Sequence, residues 1–321
     1  MTIPIINFYD PDVEEKMYNA FTTTGVAIFQ FWPWGGEWKP DFDALHEKIQ
    51  EFFALPMKTK KKYSQILNFK NIGYIWPEQE KLVIDNPGDM KETFNFVDIS
   101  KMPEQYWPKE VEGFKEYADK IYRISTLIVH EILYRFESIL KIPKGHFVEK
   151  HLNAINGMRF IHYPGWDIPI KENQLRCGEH SDFDTMTLLY NDDCEGLQIY
   201  YKDEWVDVPV VENSITVMVA DMFQRWTNDL LKSIPHRVVN KSMNRSRYTI
   251  AHFIGPARNT MIENLTDEPA KHDPISSADY LEWRYKKQFL DPEQGGLDKE
   301  TSNPYHDWER VPEHDSPHYW R

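Results

Sequence analysis

The chain has 321 residues, 41% of them hydrophobic and 14% aromatic, a composition that buries a large core and excludes a disordered chain. With 51 acidic against 37 basic residues the net charge is −14, which opposes a phosphate backbone or an anionic membrane and so excludes nucleic acid as the expected partner. Two cysteines, Cys177 and Cys194, imply no disulfide framework and point to a reducing compartment.

In chain order, the N-terminal stretch IPIINF reads as a strand, residues 12–23 as a helix, GVAIFQF as a strand and residues 41–55 as a helix. The start of the chain shows neither a basic leader nor a long apolar run, and a cytoplasmic protein is expected. The sequons at Asn240, Asn244 and Asn264 then read as coincidence. The basic run MKTKKKYS at 57–64 reads as a solvated helix face. KETFNFVDI is a strand candidate, and the longest helical pattern runs from about Glu110 to Leu140, with Phe114, Tyr117, Ile121, Ile124, Ile128, Ile132 and Phe136 along one stripe.

From residue 154 to 256 the period becomes two, in runs such as MRFIHY, DTMTLLY, GLQIYY, WVDVPV, SITVMVA and YTIAHFIG separated by turn signals. Strands so spaced suggest a jelly-roll or small barrel. A late helix over SSADYLEWRYKKQF is capped by Ser276 or Ser277, and a polar tail covers 290–321. The expected organisation is one domain: a helix-rich region over 1–150, a jelly-roll core over 151–258, and a C-terminal helix and tail over 259–321. The fold class is mainly β with flanking helices.

Within GEHSDFDTMTLLY, His180 and Asp182 stand two apart, so on a strand both would face one side. Alone the pair is weak. A third ligand is offered by His236 in LKSIPHRVVN, 54 residues after Asp182. Two histidines and one carboxylate suit a non-haem Fe(II) oxygenase, and they suit a catalytic zinc as well. Downstream, Arg247 and Thr249 share one strand face in RSRYTIAHF. A guanidinium fork and a hydroxyl together make a carboxylate clamp, although a single arginine is more often a salt-bridge partner.

In the order and spacing of HSDFDTMTLLYNDDCEGLQIYYKDEWVDVPV, DMFQRWTNDLLKSIPHRVV and RYTIAHF, with FIHYPG upstream and fainter echoes in FFALP, NIGY and KETFNF, the chain resembles the 2-oxoglutarate/Fe(II)-dependent dioxygenases, and among them the isopenicillin N synthase-like group. The resemblance implies a double-stranded β-helix with Fe(II) on His180, Asp182 and His236, and 2-oxoglutarate on Arg247, Thr249 and Tyr163. It implies decarboxylation of 2-oxoglutarate by O₂, giving succinate and CO₂, coupled to attack on an unactivated C–H bond by hydroxylation, desaturation or oxidative cyclisation. Ascorbate is expected to stimulate. This sequence departs from the pattern at Thr249, where serine is usual, at Ile161, where many plant members have asparagine, and at Asp184, where glycine is frequent.

Arg176 and Arg159 share strand parity with His180 and Tyr163 and are candidates for receiving an anionic, amino-acid-derived or secondary-metabolite substrate, with Phe183 and Tyr190 as pocket walls. His162, His252, His306, His314 and His318 lack a partner at ligand spacing, and Gln224, Arg225 and Trp226 read as structural. A monomer acting on a small molecule is expected. Two rival readings are an Fe(II) oxidase whose clamp binds the substrate's own carboxylate and a metal-binding jelly-roll without redox chemistry.

Overall fold

The computed structural model describes residues 2–30, 37–64, 72–83, 86–99, 102–152, 154, 156–165, 170–241 and 244–289, with backbone alone over 285–289. The polar tail, with His306, His314 and His318, lies outside the described residues.

The N-terminal elements are β1 (Ile5–Asn7), α1 (Val13–Thr23), β2 (Val26–Gln30), α2 (Lys39–Ala54), α3 (Met57–Lys60), β3 (Gly73–Ile75), β4 (Glu92–Val97), α4 (Phe114–Ile139) and α5 (His146–His151). The long helix starts with its apolar stripe at Phe114, four residues after the expected Glu110, because Gly113 takes a left-handed φ of 78° and turns the chain into the first helical turn. Its end is tied to α5 by the Glu137 carboxylate, which accepts from the backbone N–H groups of Gly145, Phe147 and Val148. The basic run at 57–64 corrects an expectation. Lys60 is buried and pairs with Glu92 at 2.7 Å while donating to the Phe53 carbonyl, so this end of the run is an internal tether.

The remaining elements are β5 (Gly157–Tyr163), β6 (Cys177–His180), β7 (Met186–Asn191), β8 (Leu197–Tyr201), β9 (Glu204–Asp207), β10 (Ser214–Val219), α6 (Asp221–Trp226), β11 (His236–Val238), β12 (Arg247–Ile254), β13 (Met261–Ile262), β14 (Ile275–Ser276) and α7 (Ser277–Phe289). They build a double-stranded β-helix. An eight-stranded sheet runs β1-β2-β10-β7-β12-β5-β4-β3, and a four-stranded sheet runs β6-β11-β8-β9. The N-terminal region supplies four strands to the larger sheet, with β2 hydrogen-bonded antiparallel to β10 and β4 antiparallel to β5. Among the described residues no helix is long and apolar enough to cross a membrane.

Period-two alternation sorts the side chains of the large sheet into two cores. On β12, Ile250 and Ile254 join the aromatic-rich core under the helices, while Ala251 faces the interior between the sheets. On β5, Met158 and Phe160 face the helices, and Ile161 and Tyr163 face the interior. One strand therefore buries both faces, and every second residue projects into the space where the two sheets meet.

Candidate active site

The two histidines 56 residues apart in sequence are direct cross-strand neighbours: β6 and β11 run antiparallel with His180 opposite His236. Their ring centroids are 4.3 Å apart. Asp182 corrects the strand-parity argument. β6 ends at His180, and Asp182 sits in the loop before β7, so its carboxylate meets the histidines through the loop's path rather than through strand alternation. That loop is pinned from behind. The backbone N–H groups of Asp221 and Met222, in the first turn of α6, donate to the carbonyls of Asp182 and Phe183 at 3.0 Å each, and Met222 N also reaches the Asp184 carbonyl at 3.1 Å.

Asp182 Oδ1 lies 3.8 Å from His180 Nε2, and Oδ2 lies 3.9 Å from His236 Nε2. One ligand atom from each of the three residues falls within 4.8 Å of the others. The Nδ1 atoms of His180 and His236 face the carbonyls of Gly178 and Ile234 at 2.9 and 3.2 Å. A carbonyl can only accept, so each Nδ1 carries the proton and each Nε2 presents its lone pair toward Asp182. Burial and the neighbouring His236 hold His180 well below the ordinary histidine range, which keeps it a neutral donor. Thr187, an inward-facing polar residue on β7, donates its hydroxyl to Asp182 Oδ2 and leaves Oδ1 to the site. Two lone-pair nitrogens and a carboxylate converging on one point fit a divalent metal.

One step along the barrel, β12 pairs with β5 so that Arg247 stands opposite Tyr163 and Thr249 opposite Ile161. Arg247 is 1% exposed, and its guanidinium lies 5.0 Å from the Tyr163 ring centroid. It donates through Nε to the Cys194 carbonyl at 3.2 Å and through Nη2 to Asn191 Oδ1 at 2.6 Å. Nη1 is buried with no hydrogen bond. Thr249 Oγ1 is likewise buried without a hydrogen bond of ordinary geometry, and a looser approach to the Tyr163 hydroxyl works against the burial that pushes that phenol up. The unbonded Arg247 Nη1 and Thr249 Oγ1, with walls of Ile161, Leu189, Val238 and Ala251, fit a small carboxylate in a low-dielectric setting. Asn191 was not singled out from sequence. Its parity on β7 with Thr187 and Leu189 is the signal that places it inside.

The residues expected to receive substrate are engaged elsewhere. Arg159 makes a two-pronged pair with Glu80 at 2.9 and 3.0 Å, and Arg176 donates to the carbonyls of Arg245 and Pro164 at 3.0 and 3.3 Å. Glu80 belongs to a buried network absent from the sequence reading: Lys91 lies 3.2 Å from Glu80, 2.7 Å from Asp89 and 3.2 Å from Cys177 Sγ. Asp89 in turn accepts from the backbone N–H of Gly178, two residues before His180. The sequence around GYIWPEQEKLVIDNPGDMKE is expected to form loops that help build the substrate pocket, and nothing in it signals this ion-pair network. Phe183 carries the Arg284 guanidinium over its ring at 4.2 Å. Asp184 turns to Gly255, where a Cβ would fall 2.6 Å from its Oδ1, so a side chain at 255 would have to displace the Asp184 carboxylate. Cys177 and Cys194 are free and buried.

The profile of the 2OG-Fe(II) oxygenase superfamily matches residues 155–256, the stretch that holds His180, Asp182, His236, Arg247 and Thr249. A second profile, described as non-haem dioxygenase in morphine synthesis N-terminal, matches residues 3–113. The chain belongs to the 2OG-Fe(II) oxygenase superfamily. This oxygenase is 27% identical to the 2-oxoglutarate-dependent dioxygenase htyE of Aspergillus rugulosus, over 74% of the chain and 81% of the relative. It is 28% identical to the 2-oxoglutarate-Fe(II) type oxidoreductase hxnY of Emericella nidulans, with 76% of each covered. The crystal structure of a full-length Neurospora crassa protein in complex with alpha-KG and thymine matches with a TM-score of 0.78 at 26% identity, covering 88% of this chain and 96% of that one. The chain is thus an oxidoreductase of the 2-oxoglutarate-dependent dioxygenase class, with Fe(II) as cofactor and 2-oxoglutarate and O₂ as cosubstrates.

Proposed function

We propose that His180, Asp182 and His236 hold Fe(II), that Arg247, Thr249 and Tyr163 seat the distal carboxylate of 2-oxoglutarate, and that the enzyme oxidises a C–H bond of a small organic molecule. The observation that carries this reading is the pair of lone-pair nitrogens and a carboxylate on one rim, with the orphaned donors of Arg247 and Thr249 on the adjoining inward face. Three ligands on one face leave positions for 2-oxoglutarate and O₂. Bound Fe(II) supplies the oxidative decarboxylation of 2-oxoglutarate to succinate and CO₂, coupled to a two-electron oxidation of substrate. The protein's part is to fix both histidine rings through their Nδ1 hydrogen bonds, present Asp182 through one oxygen, and hold the cosubstrate's far end between apolar walls.

Placement of the substrate C–H bond decides among hydroxylation, desaturation and ring closure. With Arg159 paired to Glu80, the substrate is held without that guanidinium. The likeness to a structure holding thymine supports a small-molecule substrate. The test uses Fe(II), ascorbate and O₂: wild type yields one succinate per O₂ consumed, and His180→Ala yields none. Oxygen consumption without succinate would establish instead an oxidase whose Arg247 clamp binds its substrate.

A further inference from the structure

Asp221 accepts hydrogen bonds from both halves of the ligand set and from the C-terminal helix. Its Oδ2 receives the hydroxyl of Ser181, between His180 and Asp182, at 3.0 Å. Its Oδ1 receives the hydroxyl of Ser233, three residues before His236, at 2.6 Å. Its own N–H donates to the Asp182 carbonyl at 3.0 Å. Arg284 of α7 completes the shell, with Nη2 at 2.8 Å from Asp221 Oδ2 and 3.3 Å from Ser181 Oγ, while its guanidinium covers Phe183. The Asp221 side chain is 1% exposed and Arg284 16% exposed, so this charge pair is largely withdrawn from water.

Resting on the ligand assignment above, we propose that Asp221 is a positioning residue that locks the Asp182 loop and the His236 segment into one frame, and that α7, through Arg284, is a structural part of the metal site. The physical argument is one of connectivity. β6 and β11 each hold one histidine, but Asp182 lies outside any strand, and apart from the Thr187 hydroxyl on its carboxylate its position depends on what braces the loop. Asp221 joins the residue flanking Asp182 to the approach to His236, so movement of one ligand arm is transmitted to the other. Arg284 neutralises the buried carboxylate and closes the loop from outside. Neither residue touches the convergence point; both act through Ser181 and Ser233, which adjoin the ligand segments, and through the Asp182 backbone.

The test measures Co(II) binding to the metal-free protein by calorimetry, together with the visible d–d spectrum of the Co(II) form. Partners of metal-bound groups commonly change affinity 10- to 100-fold when removed. Asp221→Asn, which keeps the shape and one acceptor, is expected to weaken Co(II) binding by at least about tenfold and to alter the d–d bands. Arg284→Met keeps the contact with Phe183 and is expected to weaken binding by about tenfold, with partial recovery in Arg284→Lys. Ile128→Val in α4 lowers stability remote from the site and is expected to leave both readouts unchanged. If Asp221→Asn does not fold, Arg284→Met and Ser233→Ala carry the test. Co(II) affinities and spectra in the folded variants matching wild type would overturn the proposal. Failure of the ligand assignment is separately visible, because His236→Ala would then bind Co(II) as wild type does.

Discussion

Replacing Thr249 with valine removes a hydroxyl and almost nothing else. Both side chains are β-branched, so the volume and the strand preference of β12 are kept. Thr249 is 2% exposed and its Oγ1 has no hydrogen bond of ordinary geometry, so the protein without cosubstrate carries a desolvated donor. Leaving such a group unsatisfied costs about 1–3 kcal/mol, and its removal should therefore stabilise this form, by about 1 kcal/mol once the loose contact with Tyr163 is counted. With 2-oxoglutarate bound the sign reverses. A hydrogen bond from the hydroxyl to a carboxylate contributes about 1.5–3 kcal/mol, so its loss should raise the Kd and KM for 2-oxoglutarate about 10- to 100-fold. Urea unfolding of the metal-free protein and titration of 2-oxoglutarate into the anaerobic Fe(II) enzyme give the two numbers separately. A KM within threefold of wild type refutes the role of Thr249, and a destabilised metal-free protein refutes the claim that its hydroxyl is waiting for a partner.

Acid should destabilise the fold before the carboxylates titrate. Burial pushes His151 down to about 4 and His252 to about 3 from an ordinary 6.5, so between those values the unfolded chain binds the proton first. The stabilisation is complete above pH 6.5 and is lost as pH falls, by about 1.4 kcal/mol per pH unit for each histidine. Urea midpoints at pH 7.5, 6 and 5 check this, and His252→Gln should remove that one histidine's share of the slope; a flat profile contradicts it. Glu80 is held down to about 2 by Arg159 and Lys91 despite its burial, and Glu80→Gln leaves both cations undercompensated in the interior. Breaking a buried ion pair from one side costs about 3–5 kcal/mol, so the variant should unfold at markedly lower urea while its 2-oxoglutarate affinity stays near wild type. An unchanged midpoint would show that the network is solvated.

The site was legible because its elements are short and periodic. Arg247 and Thr249 are two apart on one strand, and that local rule survives folding. The same rule failed for Asp182, because the strand carrying His180 ends there and GEHSDFDTMTLLY divides between the two sheets. Lys60 failed for a related reason: a basic run reads as solvated, and its pairing with Glu92 depends on a strand 32 residues away. Arg159 and Arg176 were placed on inward-pointing sides by parity, but parity says where a side chain starts and not what neutralises it.

By itself the sequence determined the two-period β core and the long helix that backs it, since these follow from alternation and spacing along one chain, while the residues proposed as ligands and clamp were singled out by family resemblance. The tertiary structure alone decided which residues meet. It set His180 opposite His236, ran the Asp182 loop under α6, cancelled Arg159 with Glu80, and brought Arg284 onto Asp221. Those partners are set by sheet register and loop path, which depend on burial summed over the whole fold rather than on any local stretch.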